Sequence, residues 1–196
     1  MRFYVRTVDE TLRPVIPTAL ANVRQGIHDA VQGFSGGRLE TIIEEGTEAR
    51  PETVGWINVE ILKEIPGGDY CGVATRVSGN PMTIKLRLDA CGCGSNRLPA
   101  DIVIHEVGHA MGLFHVEGDN AIMAASLPSH CRAVRPSPME THHAQLMYLR
   151  PRGNRDPDRD PTTFTLSFPG LASPGAPGRP LTPRPPGSRV LRRDVR

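Results

Sequence analysis

Residues 105–115 read His-Glu-Val-Gly-His-Ala-Met-Gly-Leu-Phe-His, and no other stretch restricts the fold of this chain so tightly. Side chains four apart on an α-helix lie on one face, one turn above each other, so His105 and His109 can aim a ring nitrogen at a common point. Glu106 lies a third of a turn round from His105. His115 could not reach the same point from a continuing helix, because six residues carry the chain about 9 Å along the axis. Gly112 offers the way out: without Cβ it can adopt the left-handed conformation that ends a helix and turns the chain back. The fold must therefore contain a helix that stops at Gly112, with a loop returning His115 beneath it.

Three neutral imidazoles converging on one point make a nitrogen ligand set for zinc, with ligands at about 2.0–2.1 Å and one position left open. They leave the ion its full double charge, which lowers the pKa of a bound water to near 7. Glu106 is placed to meet that water without displacing it, as a general base must be. A bare HExxH arises by chance in roughly one chain of this size in a hundred, and Gly112 and His115 at fixed spacing lower that to roughly one in ten thousand. Chance is not a competitive explanation.

The flanking sequence reads as a small mixed domain. Arg2–Val8 alternates as a strand does. From Pro17, the residues Leu20, Val23, Ile27 and Val31 recur at helical spacing, and Gly33 is expected to end that helix. Strands are expected at 39–45 and 54–64, then at 72–77 and 83–88, the last two joined by a Ser-Gly-Asn-Pro turn. Pro99 opens the helix that carries the histidines. Ser137 with Glu140 three residues on is a capping box, so a last helix runs to about Leu149.

Composition changes beyond Pro151. Residues 151–196 hold 10 of the 19 prolines and 9 Arg against 4 Asp, so this part is +5 and residues 1–150 are −3 of the overall +2. No period survives there, which predicts a disordered extension. The expected division is a catalytic domain over 1–150 and a Pro/Gly/Arg-rich tail over 151–196. No run approaches the roughly 20 apolar residues of a membrane span, and Met1–Glu10 alternates charged with apolar residues instead of showing a signal-peptide run. Cys71, Cys91, Cys93 and Cys131 suit two disulfides in any of three pairings or four free thiols.

The motif is similar to the metzincin signature HExxHxxGxxH, which is followed by a tight methionine-containing turn. Asn120-Ala121-Ile122-Met123-Ala124 resembles that turn, and the spacing of eight residues from His115 to Met123 resembles the matrixin branch. The resemblance implies a zinc-dependent endopeptidase. His105, His109 and His115 would hold one zinc ion, Glu106 would be the general base, and Gly112 and Met123 would support the site, Met123 as a hydrophobic floor. It also implies an α/β (α+β) zincin-like fold with a twisted, mixed five-stranded sheet and three helices. The zinc cleft would lie between an upper part and a smaller lower part made of the Met-turn and the last helix. An edge strand containing Val73, Ala74 and Thr75 would take an extended peptide by main-chain pairing, and Ala125 and Leu127 would help form the wall of a side-chain pocket.

The turn departs from the matrixin pattern at Ala124 and Ala125, where Tyr and Pro usually stand. Ala125 also replaces the tyrosine of astacin-like and serralysin-like relatives, leaving transition-state stabilisation to zinc and backbone groups. Peptide or protein substrates, no nucleic acid and a monomer are expected; structural calcium is undetermined. Relatives are mostly secreted, yet no export signal is present, so the compartment stays open. Rival readings are a zinc-binding interaction module or degenerate protease, and a zinc hydrolase of a non-peptide bond. His142 and His143 are expected as packed core histidines and Trp56 as a core residue.

Overall fold

The computed structural model describes residues 1–8, 12, 16–50, 55–75, 82–88, 98–116, 121–125 and 135–149. The expected tail and three of the four cysteines lie outside these residues. Cys71 is disulfide-bonded.

Among the described residues, five strands and three helices follow in the expected order: β1 Arg2–Thr7, α1 Ile16–Ser35, β2 Ile42–Gly46, β3 Ile57–Leu62, β4 Gly72–Thr75, β5 Thr83–Arg87, α2 Ala100–Ala110 and α3 Pro138–Leu149. The strands form one mixed sheet in the order β2-β1-β3-β5-β4. β1, β2, β3 and β5 are parallel, and β4 alone runs antiparallel, paired to β5 with Val73 opposite Lys85 and Ala74 opposite Ile84. The short β4 is therefore an edge.

The alternation in β1 sends Phe3 and Val5 into the core, at 0% and 1% exposure. The helical spacing in α1 buries Val23, Ile27, Ala30, Val31 and Phe34, each large side chain contributing about 1.5–3 kcal/mol by leaving water. α1 packs against α2 at Gly26, where an added Cβ would stand 2.6 Å from Val103 Cβ and 2.9 Å from Ala100 O. Glycine here serves close approach between helices. The result is that α2 is buried from Asp101 to Gly108, with its face toward β4 carrying the motif.

Three expectations are corrected. α1 does not end at Gly33, which packs against Pro136; it runs to Ser35 and ends at Gly36 and Gly37, at φ +62° and +77°. β2 begins at Ile42 and not at Leu39, because the backbone of Leu39 is engaged with the end of α1. Its N–H donates to Ser35 Oγ at 3.2 Å and its carbonyl accepts from Gln32 Nε2 at 3.0 Å. The buried positions of α3 are Glu140, Ala144 and Gln145, while His143 is exposed and His142 half-buried; neither is a core histidine. Trp56 is buried, as expected, at 6% exposure, with the Arg50 guanidinium 3.6 Å above its ring.

Candidate metal and catalytic site

α2 ends as the sequence requires. Gly112 takes φ +98°, its N–H donates to His109 O at 2.9 Å, and Leu113 N–H donates to Gly108 O at 3.0 Å. This pair of bonds is the Schellman arrangement, which satisfies carbonyls left over at a helix end and reverses the chain. The loop that follows is pinned from below, where Val116 N–H donates to Met123 O at 2.9 Å.

The reversal brings the three rings together. The Nε2 atoms of His105 and His109 are 3.0 Å apart, those of His109 and His115 3.1 Å, and those of His105 and His115 3.2 Å. A tetrahedral ion with nitrogen ligands at about 2.0–2.1 Å needs those nitrogens about 3.3 Å from one another. The triangle fits that requirement closely.

Tautomers strengthen the fit. His105 Nδ1 lies 2.7 Å from Ile122 O, and His109 Nδ1 lies 2.8 Å from Leu113 O. A carbonyl can only accept, so each Nδ1 carries the hydrogen, and each ring in its neutral form presents an Nε2 lone pair to the common point. Lone pairs packed this closely repel unless a cation or proton lies between them. Backbone carbonyls behind metal-binding imidazoles orient the rings in the same way. The three histidines can thus hold a metal ion.

Glu106 is 5% exposed and faces β4. One carboxylate oxygen accepts the Ala74 N–H, while Oε2 has no partner among the described residues. Burial pushes its pKa up to about 8, the Ala74 hydrogen bond opposing that rise. Its fit depends on Gly72, where a Cβ would lie 2.5 Å from both Glu106 Cγ and Glu106 Oε1. The sequence places Gly72 in the edge strand but not against Glu106; that contact partner lies 34 positions away and leaves no local pattern.

Around these groups is a cleft of about 440 Å³, lined by His105, Glu106, His109, His115, Val73, Ala74 and Ala125 among others. Thr75 stands outside it, its hydroxyl 3.5 Å from Thr83 O, and Leu127 lies outside the described residues. Met123 is 1% exposed and lies against Gly108 and so directly under α2.

No protein-family model and no curated sequence matches the chain. Among solved structures it is similar to metalloproteinase-II from Bacteroides fragilis, at 10% identity over 74% of this chain and 52% of that one, with a TM-score of 0.46. It is also similar to the GM1-bound form of the ECX AB5 holotoxin, at 12% identity over 74% of this chain and 79% of that one, with a TM-score of 0.43. The chain spans about half of the metalloproteinase. Likeness at this level carries no inference about the site, whose chemistry rests on the geometry above. No helix among the described residues is long and apolar enough to cross a membrane.

Proposed function

We propose that this chain is a zinc-dependent endopeptidase of the metzincin kind, matrixin-like in its Met-turn spacing, with residues 1–150 as the catalytic domain. The observation that carries the proposal is the triangle of Nε2 atoms, 3.0–3.2 Å on a side, beside a buried carboxylate and an open sheet edge. His105, His109 and His115 hold the metal. Zinc, when bound there, supplies a Lewis acid that polarises the scissile carbonyl and acidifies the attacking water.

The protein's own groups do the rest. β4 offers an extended peptide the outward main-chain groups that neither β5 nor Glu106 engages, which gives affinity with little dependence on sequence, and Val73 and Ala74 set that peptide beside the histidines. Ala125 belongs to the wall of the same cleft. Glu106 is held by Ala74 N–H with Oε2 left to receive a proton from the attacking water and pass it to the departing amine. A buried carboxyl holds a proton more readily than an exposed one, and a nearby cation draws its pKa back toward neutrality, which suits a group that must both take and give.

Incubation of the purified chain with casein, with and without a zinc chelator, tests the reading. Cleavage that stops on chelation and returns with zinc is expected. Zinc uptake without cleavage refutes the hydrolytic assignment and leaves a metal-binding interaction module.

A further inference from the structure

Glu140 does more than close the capping box at the start of α3. Its Oε2 accepts Ser137 N–H at 2.8 Å, which completes the box, while its Oε1 reaches back to accept Met123 N–H at 2.7 Å. Met123 N–H and Ile122 C=O are the two ends of one planar peptide group. That same Ile122 O accepts Nδ1–H of His105 at 2.7 Å. Carboxylate, peptide and imidazole therefore stand in series, and the imidazole presents Nε2 to the metal point. Every member is buried: Glu140 and His105 are 5% exposed, Met123 1% and Ile122 0%. In such surroundings hydrogen bonds in a chain polarise one another instead of being screened.

We propose that Glu140 is a positioning residue for the metal ligand His105, acting through the Ile122–Met123 peptide. The inference rests on the proposed role of His105. A carboxylate at the N–H end of a peptide draws electron density toward its oxygen. Ile122 O becomes a stronger acceptor, His105 is held in the Nδ1–H tautomer, and Nε2 becomes a better donor to a cation. Metal-binding histidines commonly donate directly to a carboxylate or a carbonyl; here both are used, one behind the other. The arrangement also fastens the Met-turn to α3, so the floor of the site and the orientation of one ligand depend on a single side chain.

Zinc affinity measured by competition with a chromophoric chelator, alongside thermal unfolding, tests this in the full chain. Glu140→Gln has nearly the same shape but turns an NH₂ toward one of the two amides and cannot accept both. It is expected to lose about 10- to 100-fold in zinc affinity, the range for partners behind a metal ligand, and to shift the visible spectrum of the cobalt-loaded protein. Ser137→Ala removes the hydroxyl that accepts Glu140 N–H at 3.2 Å but leaves the Met123 bond; it is expected to lower Tm with zinc affinity unchanged. Undiminished affinity in Glu140→Gln, or an equal loss in both variants, overturns the inference while leaving the metal site standing. Failure of the parent chain to take up zinc overturns both. If Glu140→Gln does not fold, the parent decides: the Met123 amide proton should move downfield on zinc loading, and more than that of Ser137. A Met123 amide indifferent to zinc overturns the inference.

Discussion

Replacing Glu106 by Gln should make the metal-stripped protein more stable, and the gain should depend on pH in a calculable way. The ordinary value for this carboxyl is 4.5, and burial pushes it up to about 8 in the folded chain. The folded state then holds the proton more tightly than the unfolded one, so the stabilisation is complete below pH 4.5 and is lost as pH rises through about 8. At about 1.4 kcal/mol for each pH unit, the loss across that window is on the order of 3–5 kcal/mol. A glutamine mimics the protonated carboxyl and stays neutral, so the variant escapes it. His105, His109 and His115 are common to both proteins, so their contribution cancels to first order in the difference. Urea unfolding of chelator-treated parent and Glu106→Gln at pH 4, 6 and 8.5 measures the effect. The two should be similar at pH 4 and separate progressively above it, with the variant the more stable. A stability difference that stays constant from pH 4 to pH 8.5 would mean that Glu106 is solvated and that its described burial against β4 is wrong.

Glu106→Ala is expected to retain zinc by elemental analysis and to lose on the order of 10² to 10⁴ in the rate of casein cleavage, whereas His109→Ala should lose the metal itself. Gly72→Ala places a methyl group 2.5 Å from Glu106 Cγ and Oε1. A carboxylate displaced by about 1 Å costs roughly 10²-fold in kcat, and zinc content should not change; wild-type kcat in this variant would refute the close packing. Gly112→Ala must hold an L-residue at φ +98°, which costs about 1–3 kcal/mol. A lowered Tm and weaker zinc binding should appear together, since the same turn returns His115 to the site.

Contacts within a few residues are legible in the sequence. His105 and His109 share a helix face because of the helical repeat alone, and Gly112 ends the helix because only a residue without Cβ takes that turn cheaply. The Ser137–Glu140 box is likewise a contact between residues three apart, and both of its bonds form. Strand order was less accessible. The turns on either side mark β4 as a strand, yet only its pairing with β5 alone among the described residues makes it an edge.

Where the sequence misled, a local signal had been taken over by a distant partner. Gly33 has the character of a helix terminator, but packing against Pro136 gives it a different task within α1. Leu39 follows the Gly36-Gly37 turn where a strand is expected to begin, but hydrogen bonds to Ser35 and Gln32 withdraw it from the sheet. His143 was assigned to the core by the apolar residues around it, whereas α3 turns Glu140, Ala144 and Gln145 inward. Helix periodicity, turn chemistry and ligand spacing are interactions over a few residues, and the amino-acid sequence by itself determined them. The gap that Gly72 leaves for Glu106 and the second bond of Glu140 to the Met-turn join residues 34 and 17 positions apart. Such contacts exist only once packing has brought separate elements into touch, and tertiary structure alone decided them.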